Sequence, residues 1–255
     1  MSIGLKVGFP SLLEAGSELH FSLLRKWLQV CDKYHDDHTF AKEDKVLPTR
    51  VLDVGDAKNP YRLRLYLTEE GEKGRYIALS HCWGGDVPSK TNKDNKDDRC
   101  EKGIEFDQLP KTFQDAVVTT RKLGVQYLWI DSLCIIQGDD EDWKREARKM
   151  EAVFALAYCT IAATSAKDST KGFLIPRSVK QSARLQDNKN SQLYVYVSEV
   201  SEDFDDDVEK GELNKRAWVL QERALSPRTI HFTETQTYWE CGSVIRCETL
   251  VQMIK

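Results

Sequence analysis

Apolar residues along the chain form short continuous runs, separated by stretches with helical spacing. Residues 127–130 (Tyr, Leu, Trp, Ile) make one run, closed by Asp131, and residues 159–164 make another. Runs this short, rich in aromatic and β-branched residues, predict strands buried on both faces. Between them Trp143, Ala147, Met150, Val153, Phe154 and Ala157 recur at three and four residues, so 142–157 is predicted as one helix behind an acidic loop at 139–142. Strand, helix, strand is a βαβ unit with parallel strands and a right-handed crossover. Residues 76–79 predict a further buried strand. Phe113, Ala116, Val117 and Thr120 mark the inner face of a helix over 112–123, stopped by Gly124, which makes a second βαβ unit with 127–130.

The remaining segments fit around these units. Residues 17–35 predict an amphipathic helix with Leu19, Leu23, Leu24, Trp27, Leu28 and Cys31 as its apolar stripe. Residues 47–54 and 61–67 predict an antiparallel hairpin at a sheet edge, turning at 56–60, with Leu63, Leu65 and Leu67 on one side. Residues 86–102, dense in Lys, Asp and Asn, predict a solvated loop able to act as a lid. Residues 177–192 predict a polar excursion, 194–197 a strand, and 199–212 an exposed acidic loop leading into a helix over 216–225. Ser226-Pro227-Arg228 ends that helix, and 229–232 pairs with 236–240 as a hairpin. The predicted fold is α/β: a mostly parallel sheet with flanking helices, an added β-hairpin and a long insertion. Residues 1–46 form an N-terminal helical segment and 47–255 the main domain.

Composition narrows the function. At 255 residues, 40% hydrophobic and 31% charged, the chain can bury a real core. A net charge of −4 supplies no basic field, so nucleic-acid binding is not expected. Seven scattered cysteines without a Cys-x-x-Cys pair point to a reducing compartment. No apolar run approaches the ~18 residues that a membrane span requires. Cys31, His35 and His38 hint at zinc, but no fourth ligand has matching spacing, and a helix end running into a polar loop is the better reading.

Polar groups close three of the predicted parallel strands: Ser80-His81, Asp131-Ser132 and Ser165. In a doubly wound sheet these ends share one edge, where ligands bind. Trp83, Gly84 and Gly85 follow the first, a turn where backbone can approach a ligand closely. Glu222 stands on the apolar face of its helix with Trp218 and Val219, an unusual place for a carboxylate. Two readings of it stand: a structural pair with Arg216, Arg223 or Arg228, or a functional acid. A nucleophile built from His81 with Cys82 or Cys134 is a weaker alternative, and the common hydrolase, zinc-protease and phosphate-loop motifs do not occur.

The stretches 76–84, 109–116, 127–137 with Asp142-Trp143, 150–163 and 216–228 resemble the fungal heterokaryon incompatibility (HET) domain, over about 47–241. Gly138 stands where that family more often has Asp, which displaces the acid to Asp139. The resemblance implies a cytoplasmic protein of allorecognition and programmed cell death. The HET domain is in turn similar to the Toll/interleukin-1 receptor (TIR) domain, which implies a flavodoxin-like sheet and places Glu222 where enzymatic members hold the carboxylate that cleaves NAD+. On that basis NAD+ is the expected substrate, no further cofactor or metal is needed, and Glu222 is the catalytic residue. Ser80, His81, Trp83, Gly84, Asp131, Ser132, Arg216, Trp218 and Arg223 are the candidate binding residues, with the two tryptophans stacking on flat rings and the arginines meeting the diphosphate. The alternative is a non-enzymatic module that signals death by self-assembly. Regulation then falls to self-association or to a separate sensor protein.

Overall fold

The continuous apolar runs become the middle of a nine-stranded mixed sheet in the computed structural model, which describes Leu12 and residues 14–34, 44–55, 59, 62–85, 89–177, 182–187, 190–198, 204–249 and 252–253. The strands in chain order are β1 (Lys45–Val46), β2 (Arg50–Asp53), β3 (Arg64–Leu67), β4 (Lys73–Gly74), β5 (Tyr76–Ser80), β6 (Tyr127–Trp129), β7 (Cys159–Ala162), β8 (Ser182–Asp187), β9 (Asn190–Ser198), β10 (Arg228–Phe232), β11 (Thr237–Cys241), β12 (Ile245–Cys247) and β13 (Gln252–Met253). The helices are α1 (Glu18–Tyr34), α2 (Lys96–Glu101), α3 (Lys111–Lys122), α4 (Asp131–Cys134), α5 (Asp140–Ala147), α6 (Met150–Leu156) and α7 (Ala217–Leu225).

The sheet order is β13-β12-β11-β10-β7-β5-β6-β2-β3. Strands β6, β5, β7 and β10 are mutually parallel where they pair, and the others are antiparallel additions at both sides. Counted along the chain, the parallel strands run 2-1-3-4 across the sheet, the start of the flavodoxin-like order. The order reverses between β5 and β7, where Ser80 pairs with Ala162. Every residue of β5, β7 and β10 is buried, as strands covered on both faces require. The edge strand β3 keeps Leu65 inside, but Leu67, predicted on the same face, is 48% exposed although it is paired with Arg50 of β2. The turn predicted at 56–60 lies outside the described residues apart from Asn59.

Helix α1 packs Phe21, Leu24, Trp27, Leu28 and Cys31 into the same apolar core as the sheet and α3. Its inner face is turned from the predicted one: Leu19 is 67% exposed, while His20 is buried and bonds Thr237 Oγ1 at 2.9 Å. That bond holds the helix start to β11. His35 and His38 lie outside the described residues, and the described residues contain no metal-ligating cluster.

The predicted helix over 142–157 is two helices, α5 and α6, broken at Arg148 and Lys149. The gap residue Asp139 caps α5, its carboxylate accepting from the amides of Glu141 and Asp142. Asp142, not Trp143, faces inward. It is 2% exposed, accepts from Arg50 Nη2 at 2.5 Å and from Ile136 N at 2.8 Å, and Arg50 also donates to Cys134 O at 2.6 Å. Neighbours on a helix point about 100° apart, so burying Asp142 turns Trp143 out, 56% exposed.

The described residues of three predicted loops carry secondary structure or buried contacts. Residues 86–102 contain α2, and buried Thr91 is laced to the segment after β6 through Thr91 N to Ser132 O (3.0 Å), Gln137 N to Thr91 O (2.7 Å) and Thr91 Oγ1 to Leu133 O (2.7 Å). The excursion at 177–192 contains β8 and the start of β9, an antiparallel ribbon. The acidic segment 199–212 buries Phe204 and Val208 against Tyr238, with Asp207 accepting from Tyr238 Oη at 2.6 Å. Alternation between acidic and apolar residues, rather than charge density, decides that packing.

Removing one partner of a buried ion pair leaves the other unpaired. Asp142→Ala is therefore expected to cost about 3–5 kcal/mol in a denaturant titration, whereas Trp143→Ala, a change at an exposed site, should cost less than about 1 kcal/mol.

Candidate functional site

The strand order reverses between β5 and β7, and at a reversal of this kind open sheets form a crevice at the carboxyl ends of the strands. Ser80 ends β5 there and is 3% exposed. Helix α7 lies across it and presents Glu222, whose Oε2 accepts the Ser80 hydroxyl at 2.5 Å. Burial pushes the Glu222 carboxyl up to about 7. The Ser80 hydrogen bond and Arg216 pull the other way, and Asp131 adds to the rise. The residue is partly buried at the crevice rather than sealed in the core.

His81, the next residue, is 4% exposed. Its ring meets Phe113 edge-on with centroids 5.0 Å apart, and its Nε2 lies 4.0 Å from Asp131 Oδ1. Burial drives its pKa down despite Asp131, which leaves a neutral imidazole. Asp131 opens α4 just beyond β6. Its Oδ2 accepts Trp83 Nε1 at 2.7 Å and its Oδ1 accepts Ser132 N at 2.6 Å. Asp131 thereby fixes the Trp83 ring and gathers the ends of β5 and β6 into one wall.

Other candidates make contacts within the fold. Gly84 has φ +80°, and a Cβ there would meet Asp168 Cβ at 2.4 Å. Its missing side chain makes room for the loop after β7, not for a ligand. Ser132 is fully buried and its carbonyl holds Thr91, so it supports the wall from behind. Arg223 points away, donating to Glu240 Oε2 at 2.7 Å and to Glu209 Oε1 at 2.7 Å. Arg216 donates to His81 O at 2.7 Å and so joins the start of α7 to the end of β5. Of Trp218 the structure describes the backbone alone. Ser165 caps no helix; its amide bonds Phe232 O at 2.8 Å.

These placements bear on the structural reading of Glu222. Arg228 is buried against Asp32 at 2.7 Å, and Arg216 and Arg223 are engaged as above, so none of the three forms an ion pair with Glu222. Burial raises the Cys82 thiol and pushes Cys134 up to about 12, which works against the thiolate that the Cys–His alternative needs. The Ser80–Glu222 contact was not predicted as a pair. Its signal was present in a serine closing a buried strand and a carboxylate on an apolar helix face.

The model of the heterokaryon incompatibility protein (HET) family matches residues 76–222. The chain belongs to that family. The match begins on the first residue of β5 and ends on Glu222, so it frames the crevice from one wall to the other. A HET domain implies a role in heterokaryon incompatibility and cell death. Searches of curated proteins and of solved structures returned no match. Among the described residues no helix of this HET protein is long and apolar enough to cross a membrane.

The raised Glu222 pKa has a definite consequence for stability. The folded value, about 7, lies above the ordinary 4.5, so the fold favours the neutral acid. The stabilisation carried by that proton is complete below pH 4.5 and is lost as pH rises to about 7. Glu222→Gln is neutral throughout. Relative to wild type it should therefore gain about 2 kcal/mol between pH 4.5 and 7.5, an amount discounted for partial exposure. Denaturant titrations of both proteins across that range would show it.

Proposed function

We propose that this HET protein is an NAD+ glycohydrolase with Glu222 as its catalytic carboxylate. One observation carries the reading: a carboxylate with a pKa near 7, held by Ser80 at the strand-order reversal, where sheets of this order bind ligands. The order of motifs that resembles TIR domains in the sequence, a serine-ended strand and then a helix-borne glutamate, is in keeping with it. In the reaction the ribose C1′–N bond breaks and nicotinamide leaves with the electron pair, giving an oxocarbenium-like centre. The Glu222 carboxylate stabilises that charge, and water then bonds to C1′ and gives up a proton. A carboxylate that titrates near neutrality serves both as counter-charge and as acceptor of that proton. Ser80 orients it, Trp83 offers a flat face held by Asp131, and Arg216 lies beside the crevice for the diphosphate.

A second reading is a scaffold that signals death by self-assembly. Leu220, two residues before Glu222 on α7, is 66% exposed and gives that reading an apolar contact point.

Turnover of NAD+ by the purified protein, followed by mass spectrometry at high and low protein concentration, tests the proposal. Glu222→Gln is expected to lose at least about a hundredfold in kcat. The kcat/KM profile should climb with pH through about 7, because the ionised form is the active one. In Ser80→Ala the climb should move to higher pH, since the lost hydrogen bond had lowered the Glu222 pKa. Undiminished turnover in a folded Glu222→Gln sample sinks the enzyme assignment. Cell killing that survives in Glu222→Gln but is lost in Leu220→Asp favours the scaffold.

A further inference from the structure

A cleft of about 780 Å³ opens beside the edge strand β3, well away from the Glu222 crevice in the sheet order. Its volume falls within the roughly 300–1,000 Å³ common for small-molecule sites. One wall is β3. The other is the segment after α2, which completes the strand edge through Ile104 N to Leu63 O at 2.8 Å. Gly103 makes that approach possible: it has φ +92°, and a Cβ there would meet Leu63 O at 2.9 Å.

Charge is unevenly distributed in this cleft. Arg62, Arg64 and Arg121 all line it, and the buried carboxylate of Asp53 lies against the first two. Arg62 Nε takes Asp53 Oδ2 at 2.9 Å. Arg64 Nε stays 3.5 Å from the same oxygen, is shielded from solvent and makes no hydrogen bond. Arg121 donates to two carbonyls, Val54 O at 2.6 Å and Arg62 O at 3.2 Å, and stacks over Phe106 at 5.8 Å. Asp53 meanwhile also accepts from Gly55 N and Gln126 Nε2. One carboxylate thus serves two guanidinium groups and Arg121 is held by carbonyls alone, while the acids of the rim, Glu101, Glu105 and Asp107, stand exposed in solvent, where screening weakens them. Beneath the arginines, Ile104, Phe106 and Val118 are half-buried and form an apolar floor.

We propose that this cleft binds a phosphate monoester carrying a flat apolar group. The phosphate meets Arg62 and Arg64, whose forked donors match its oxygens, and the ring lies on the Phe106 side. Isothermal titration of the full chain at low salt, with phenyl phosphate and with inorganic phosphate, tests this. Phenyl phosphate should saturate, bind at least tenfold tighter than inorganic phosphate, and weaken as salt rises. Arg64→Gln should weaken it at least tenfold. If circular dichroism shows Arg64→Gln to be unfolded, Arg62→Gln, at a more exposed side chain, takes its place with the same expectation. The proposal is overturned if phenyl phosphate fails to saturate in the millimolar range, if inorganic phosphate binds equally well, or if the folded arginine variant binds like wild type.

Discussion

Four parallel strands covered on both faces leave unpartnered polar groups only one way out, at the strand ends. Within β5, β6, β7 and β10 almost every side chain is sealed among others, so a charge placed there loses its hydration unless it meets a partner, as Arg228 meets Asp32. Ser80, Asp131 and Thr233 accordingly stand at or just beyond the carboxyl ends of these strands. The 2-1-3-4 order then separates the helices that follow β5 and β7 and leaves a gap above the two central strands. Glu222 enters that gap from α7. The position of the candidate site follows from the burial of the sheet, and its chemistry from the one acid that reaches across.

The rest of the chain is fastened to this core by buried ion pairs rather than by apolar contact alone. Arg50 and Asp142 join β2 to α5. Arg177 and Glu248 join the segment after β7 to the end of β12, with Leu12 N and Thr237 N also donating to Glu248. Arg223 and Glu240 join α7 to β11, with His231 sharing the same carboxylate at 3.0 Å. Burial alone would raise Glu240, yet the His231 and Arg223 hydrogen bonds hold it down to about 2. Such pairs add little net stability over apolar substitutes, but each is satisfied in one arrangement only, and so each fixes register. The last pair bears on the site directly, because Arg223 follows Glu222 on α7. With Arg223 clamped outward on β11, the helix is rotated so that Glu222 faces Ser80.

The strands of the core and the long helix α3 were legible in the sequence because burial on both faces, or on one helical stripe, leaves an unambiguous period. Phe113, Ala116, Val117 and Thr120 are all buried as predicted, and Gly124 ends the helix with φ +76°. Errors arose where a polar residue is buried and an apolar one exposed. His20 displaced Leu19, Asp142 displaced Trp143, and Thr91 anchored a segment whose lysines and aspartates look like free loop. Periodicity counts apolar residues and cannot see a partner distant in sequence such as Arg50 or Thr237. At the candidate site, Ser80, Asp131 and Glu222 stood out by their positions, while the contacts of Gly84 with Asp168 and of Arg223 with Glu240 join elements distant in sequence and left no local signal.

The acidity of Glu222 depends on where the neighbouring arginines go. Arg216, Arg223 and Arg228 lie within six residues of it on either side, and any one as a direct partner would hold the carboxyl low and charged. Each is drawn elsewhere by a stronger local demand. Arg216 answers the His81 carbonyl, which β5 leaves unpaired as it ends. Arg223 answers Glu209 and Glu240 together. Arg228 is carried into the sheet by β10, where it is fully buried, stacked on Tyr158 at 4.9 Å and set against Asp32. What remains for Glu222 is a neutral hydroxyl, with Asp131 nearby to oppose its ionisation. A pKa near neutrality is therefore not a property of one residue in one pocket. Burial raises it, and it stays raised because the three cations are committed to holding α7 and the sheet together and none of them pairs directly with the carboxylate.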